Sequence, residues 1–550
     1  MTPFKNSIFL ILCLIIQLNV MAQVDSLKNY NIDVVRIFKP ILSEAIKIPI
    51  NPNPEKPEIK KTIYTYLIPE QQFQVQPTLY TIKPISLGTA LLPKLKNNYS
   101  RVGFGNLTSP LFEFYLNTVR NKNTQAGMFI KHLSAGGDEA YKKFSNNTVY
   151  GYVKQFINKG SLGIDAYYHR NRVHLYGSPN DKIILPADPK LTYVLYDTKL
   201  NYLNFNKDSS GLSYMLDMGY YNYSSDNKYI ENNFFTKARI NKHINNIPFE
   251  LITGLQINNT RYTGAPLANQ ATYQRIYFDL NPEIKLSDEN FYLKGGFNST
   301  LTNDSTGSKL YFFPNAEAGY ALMVKKLTVF AGFTGNLKPN TFRSITSENP
   351  FAARFELNNT VNKFEIYGGF KGEIGPMTHF ILMGSSATVQ NLLFYTHDSS
   401  KANQITTFDP GSSKLTVFTG SINHAYNEKL RLGISTNIYG YKLYSLDHPY
   451  SRPEFEAKVN ATYNFGDKFL LKFDLFYMSE RWGGYNQSDN SIFNLKISPF
   501  VDANFGVDYR YSKTVSAFLH LNNIANNRYQ RFYAYPVYGF NFMGGFTFTF

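Results

Sequence analysis

The chain ends in Phe540-Asn541-Phe542-Met543-Gly544-Gly545-Phe546-Thr547-Phe548-Thr549-Phe550. Successive side chains on a strand point to opposite faces, so Phe540, Phe542, Gly544, Phe546, Phe548 and Phe550 share one face. Asn541, Met543, Gly545, Thr547 and Thr549 share the other. The last strand of a soluble protein would seldom place five phenylalanines on a face turned to water. A final amphipathic strand ending in Phe is what the outer-membrane assembly machinery reads in barrel proteins, and Phe546, Phe548 and Phe550 are expected to carry that assembly signal.

The same period of two recurs upstream. Phe291, Leu293, Gly295 and Phe297 alternate with Tyr292, Lys294, Gly296 and Asn298. Leu430, Leu432, Ile434, Thr436 and Ile438 alternate with Arg431, Gly433, Ser435, Asn437 and Tyr439, and Phe469 to Met478 behaves alike. Segments of about ten residues with this dyad are the signature of a transmembrane β-barrel; a soluble β-sandwich alternates too. Turn rhythm separates the two. Short turns are expected at 121–123, 158–160, 207–211, 245–246, 287–290, 325–326, 375–376, 427–429, 466–468 and 511–513. Between them lie mostly longer connections: 134–143, 177–190, 264–271, Lys338–Lys363, Asn391–Lys414, 445–453, 479–489 and 525–538, with three shorter ones near Leu107, Asp226 and Asp304. Ten short and eleven alternate connections join about 22 strands, an even count with one short-turned rim, as such barrels have. The fold class expected is therefore all-β: a transmembrane antiparallel β-barrel over residues 97–550.

Composition agrees. Charged residues are 17% of the 550, while aromatics reach 16%, with 45 Phe, 42 Tyr and one Trp. Mean hydropathy is −0.29, and no later stretch approaches 18 consecutive apolar residues, which argues against a bundle of membrane helices. The N-terminus reads as a Sec-type signal peptide over residues 1–22, with Lys5 before the apolar run Ile8–Ile16 and a small-residue site at Val20-Met21-Ala22. The only cysteine, Cys13, lies inside that run, so the mature chain is expected to hold neither disulfide nor thiolate site. Residues 23–96 form a different region, with nine of the 26 prolines falling between Gln23 and Asn97. Proline removes ladder donors, so this is an extended segment, with a short helix expected around Ile41–Ile48. It has too little apolar content for a core of its own and is expected to fill the lumen or lie in the periplasm.

Near the C-terminus, Leu521-Asn522-Asn523-Ile524-Ala525-Asn526-Asn527-Arg528-Tyr529-Gln530, then Tyr535-Pro536 and Gly539 before the Phe-ended strand, resemble the end of a TonB-dependent receptor barrel. That resemblance implies a 22-stranded barrel, matching the independent count from turns. Phe540 stands where the family often has an arginine. Family members carry a folded plug of well over a hundred residues before the first strand, and residues 23–96 are too few for one. Asp33-Val34-Val35, within Asn31–Ile37, is similar to the family's energy-coupling peptide; a short strand or helix start is the simpler reading of the same residues.

No constellation points to an enzyme or a cofactor. Nine histidines are scattered singly, and His169 and His174 differ by five, which places them on opposite faces of a strand. Asp165, Asp197, Asp474 and Asp508 read as lumen carboxylates without a paired partner for acid–base work. The formal charge of +16 suggests lipid phosphates rather than nucleic acid in an exported barrel. Arg170, Arg172 and His174 share a strand face near Tyr167, Tyr168 and Tyr176, where they would bind lipopolysaccharide phosphates, line a mouth, or form a solvated rim. The partners expected are outer-membrane lipids and lipopolysaccharide, the barrel-assembly machinery, and a periplasmic or surface protein. Two functions fit: a receptor-like transport or channel protein with a gated lumen in the cell outer membrane, or a non-transporting scaffold subunit of an outer-membrane complex.

Overall fold

A computed structural model describes residues 98–550 except 120, 138–141, 178–188, 205–210, 246, 265–271, 305–306, 325, 399–403, 428 and 487–491. The signal peptide, the segment 23–96 with its short helix, and Asp33, Val34 and Val35 lie outside the described residues.

The strands run in chain order as β1 (Tyr99–Gly105), β2 (Ser109–Asn117), β3 (Thr124–Ala135), β4 (Phe144–Ile157), β5 (Gly160–His174), β6 (Lys190–Asn204) and β7 (Ser213–Ser225). They continue as β8 (Tyr229–Ile244), β9 (Ile247–Tyr262), β10 (Thr272–Ser287), β11 (Phe291–Asp304), β12 (Gly307–Met323) and β13 (Leu327–Lys338). Helix α1 (Phe342–Glu348) and β14 (Ala352–Arg354) follow, then β15 (Thr360–Glu373), β16 (Thr378–Asp398), β17 (Gln404–Tyr426), β18 (Leu430–Lys442), β19 (Phe455–Phe465) and β20 (Phe469–Met478). The last are β21 (Arg481–Asn486), β22 (Ile492–Ile497), β23 (Phe500–Arg510), β24 (Val515–Asn522), β25 (Gln530–Phe532), β26 (Tyr535–Pro536) and β27 (Asn541–Thr549).

Leaving out β14, β21, β22, β25 and β26, these strands form one closed antiparallel wall of 22. The first strand closes on the last in unbroken register, from Tyr99↔Thr549 to Gly105↔Met543. That seam requires small residues: a Cβ at Gly545 would run into the Val102 carbonyl oxygen and the Gly103 Cα, and the Phe518 ring covers both glycines from inside. Closure leaves no strand edge unpaired, the condition for β-structure to stand in hydrocarbon. Tight turns fix the register. In the Phe465–Lys468 turn, Gly466 and Asp467 both take positive φ (58° and 56°), the backbone of a primed hairpin turn whose twist matches the strands.

The period of two sorts the wall into two faces. Outward stand Val102, Phe112, Met128, Val153, Ile164, Leu200, Phe278, Leu301, Phe312, Ile366, Phe418 and Ile434, all more than a third exposed, and with them Phe546, Phe548 and Phe550 at 59%, 45% and 57%. Inward-facing positions carry charge and amide. Lys131 pairs with Glu113 at 2.8 Å, Lys472 with Asp508 at 2.7 Å, and Lys199 with Asp217 at 3.1 Å. An apolar belt outside and a polar lumen inside is the organisation of a membrane barrel.

Three expected loops hold more structure than their sequence suggested. Asn391–Lys414 is mostly strand: β16 and β17 run 21 and 23 residues, well beyond the roughly 9–11 that cross a bilayer. Their ladder breaks once, between Gln390 and Leu392, where Asn391 takes φ 55°. Past that bend Leu393, Tyr395 and Phe408 are buried, so apolar packing carries the hairpin on beyond the wall. Lys338–Lys363 contains α1 and β14, and the connection expected over 479–489 runs on to the start of β23 at Phe500, because it contains the β21–β22 hairpin.

Candidate functional site: the capped mouth and its cavity

Helix α1 is one anchor of the cap. Thr341 caps it, accepting from the Ser344 N–H while Ser344 Oγ accepts from the Thr341 N–H. Glu231, wholly buried on β8, accepts from the N–H groups of Phe342 (2.7 Å) and Arg343 (3.3 Å), from Tyr221 Oη (2.8 Å) and from Thr260 Oγ1 (2.9 Å). A carboxylate at a helix N-terminus meets free N–H donors and the positive end of the peptide dipoles. Phe342, with no exposed surface, sits among Tyr193, Tyr223, Tyr229 and Phe355 with ring centroids 5.0–6.1 Å apart. Arg343 reaches Asp197 at 3.0 Å and lies over the Tyr221 ring.

From this anchor the loops meet across the opening. Strands β5 and β16 stand ten apart in a wall of 22, close to opposite sides, yet His397 Nε2 at the end of β16 contacts the Gly177 carbonyl beyond β5 at 3.1 Å. Tyr176 Oη donates to the Pro536 carbonyl (3.1 Å), and Tyr535 stacks on Phe351 with centroids 3.8 Å apart. Tyr193 Oη on β6 donates to the Pro350 carbonyl at 2.9 Å. Arg275 on β10 donates to the carbonyls of Asn340 and Leu357, both at 2.9 Å. Arg481 donates to the carbonyls of Arg531 (2.7 Å) and Gln530 (2.6 Å). Ile345, Ala352, Leu357, Leu393, Tyr395, Phe408, Phe532 and Tyr535 form a second apolar core joining these segments. A lumen of this strand number is too wide for wall side chains to fill. Here the loops bridge its mouth.

Against the cap lies a cavity of about 390 Å³. Lys338, Glu348, Tyr395, Tyr441, Arg452 and Arg531 are among its lining residues. Arg452 Nη1 binds Glu348 Oε1 at 2.5 Å, and its Nε and Nη2 donate to the Leu393 carbonyl. Its side chain keeps 31% of its surface exposed and is among those lining the cavity. Burial alone would lower its pKa; the Glu348 carboxylate, with Tyr395 and Tyr441, outweighs that and shifts it upward. The cavity thus presents the Arg452–Glu348 ion pair, with Lys338, Arg531 and Glu456, beside the aromatic faces of Tyr395 and Tyr441.

Of the residues singled out by sequence, Asp197 joins this assembly through Arg343. Asp165 accepts from Tyr150 Oη (2.6 Å) and Asn201 Nδ2 (2.8 Å), and Asp508 pairs with Lys472. Asp474 is exposed, on the face that carries Lys472. His169 contacts Thr148 Oγ1, and His174 Nδ1 donates to the Lys143 carbonyl at 2.6 Å. Among the described residues no group of three or more His, Cys, Asp or Glu is placed to hold a metal ion. Arg170 and Arg172 lie on the outer face of β5, with Ile164 and Leu162, and do not line the mouth. Sequence reasoning missed Glu231, Phe342, Arg452 and Arg481. Each acts through a partner about 49 to 112 positions away, and no local spacing announces such pairs.

No protein-family model matches the sequence, and no curated protein is similar to it. Similarity lies in structure. The ferric-catecholate import receptor Fiu from K12 E. coli superimposes with a TM-score of 0.63 at 10% identity, covering 83% of this chain and 82% of that one. The FrpB iron transporter from Neisseria meningitidis gives 0.64 at 9% identity over 84% and 82%. The ferripyoverdine receptor of the outer membrane of Pseudomonas aeruginosa gives 0.62 at 11% over 84% and 72%. The fold is that of a TonB-dependent-receptor barrel.

Proposed function

We propose that this protein is an outer-membrane, receptor-like transport protein in which a ligand taken up at the capped mouth passes through a gated lumen. The observation that carries this reading is the cavity set against a cap whose loops come from opposite sides of the barrel. Residues 1–22 act as the export signal, Phe546, Phe548 and Phe550 present the assembly signal, and the long-loop rim faces outside. Residues 23–96 are a reduced plug within or below the lumen, and Asp33-Val34-Val35 is its candidate coupling segment. A non-transporting scaffold is the second reading, favoured by the two buried apolar cores that knit the cap together.

Single-channel recording of purified protein with and without residues 23–96 separates them. A large current appearing on deletion supports a passage blocked by that segment. Silence in both, persisting when the cap is loosened, sinks the transport reading and leaves the scaffold.

A further inference from the structure

The outward face of β5 changes chemistry steadily along its length. From the short-turn end it reads Leu162, Ile164, Ala166, Tyr168, Arg170 and Arg172. Leu162 and Ile164 belong to the exposed apolar belt. Tyr168 packs against Tyr196 of β6 with ring centroids 5.2 Å apart, an aromatic pair of the kind that marks the water–lipid boundary. Arg170 and Arg172 follow directly on the same face, beyond the aromatic pair. Two positions on one strand face stand roughly 7 Å apart.

Their directly paired cross-strand residues are neutral. Arg170 lies across from Asn147 and Val194, Arg172 from Ser145 and Thr192. Asn147 bonds to His132, which also reaches Ser134, so hydroxyl, amide and imidazole groups extend the patch across β3 and β4. Arg172 Nε donates to Thr192 Oγ1 at a long 3.4 Å, and neither guanidinium has a carboxylate within ion-pairing distance among the described residues. Asp226, at the adjoining turn, is engaged by the Thr192 N–H. Two half-buried guanidiniums just beyond an aromatic pair, with no counter-ion among the described residues, suit an outside anion, because paired N–H donors match phosphate oxygens.

We infer that Arg170 and Arg172, with Asn147 and His132 beside them, form a binding site on the outer wall for the phosphate of a phosphorylated outer-leaflet lipid. This depends only on the barrel standing in a membrane, not on transport, so its failure would leave the proposed function untouched.

The test uses full-length protein purified in detergent, stripped of lipid and titrated with bisphosphorylated lipid A, with adducts counted by native mass spectrometry. About 1 kcal/mol per basic residue near a lipid surface predicts that R170Q/R172Q weakens binding roughly thirtyfold. K429Q/K468Q, at the opposite rim, should leave it unchanged, and R170K/R172K should retain most of it. Dephosphorylated lipid should bind wild type and R170Q/R172Q equally. Two results would overturn the site: equal lipid A binding by wild type and R170Q/R172Q when both show the heat-shifted band of a folded barrel, or displacement of lipid A by equimolar inorganic phosphate, which would make the free anion the ligand.

Discussion

The wall and the cap solve the same problem by different means. In the wall, every strand is paired on both sides, and apart from the β1–β27 seam each strand pairs with the next wall strand along the chain, in places through a turn as tight as Ile157↔Gly160 or Phe465↔Phe469. Its side chains need only alternate. In the cap, Glu231 holds a helix 111 positions away and His397 touches a carbonyl 220 positions away. The wall is therefore specified locally and tolerates change within a face, whereas the cap depends on particular side chains filling particular spaces. The two should fail separately.

The largest effect expected is at Phe342, the buried ring at the centre of the cap. Removing such a ring costs about 3–5 kcal/mol, because the surrounding aromatics cannot close over the space. Phe342→Ala should open residues 339–359 to protease and raise channel current in protein lacking residues 23–96, while the heat-shifted barrel band persists. Loss of that band as well would mean that wall and cap are one cooperative unit, and the distinction would fall.

The wall is broken from the other side. Phe546→Arg sets a cation on the lipid face of the closing strand, at a cost of roughly 2–4 kcal/mol near mid-bilayer. The folded band should weaken and the denaturant midpoint should drop. Phe546→Leu keeps the face apolar and should come close to wild type. If arginine is tolerated like leucine, that face does not meet hydrocarbon.

The smallest effect sharpens the cap's dependence on a single contact. His397 is buried, and burial lowers its pKa below the ordinary 6.5, against the opposing pull of the Asp398 and Gly177 carbonyls that its ring contacts. A depressed folded-state pKa means the unfolded cap binds the proton more readily. Its contribution is present above pH 6.5 and is lost as pH falls through the folded value. Protease cleavage within the cap should rise on acidification, and His397→Gln should flatten that dependence. An unchanged slope in the variant would assign it to another group.

Much of the wall was legible in the residues. Phe540 to Phe550, Phe469 to Met478 and the Gly466-Asp467 turn each state their own geometry, because strand alternation and positive-φ turns depend on residues a few positions apart. The strand count followed from the alternation of short and long connections. The lengths of β16 and β17 did not, since nothing local distinguishes Leu393 and Phe408 in a projecting hairpin from apolar residues in a loop. Helix α1 was hidden for a like reason: seven residues are too short for a helical period, and its stability comes from Glu231 and the aromatic cluster around Phe342.

By itself, then, the sequence determined a closed, two-faced barrel with a lipid-facing belt, because period and turn chemistry are read within a few residues of chain. Only the tertiary structure decided that the mouth is bridged, that Arg452 and Glu348 face a cavity and that Arg170 and Arg172 point outward. Those facts depend on which strands come to stand opposite one another and on which rim a face emerges. Both are set by the closure of the whole ring.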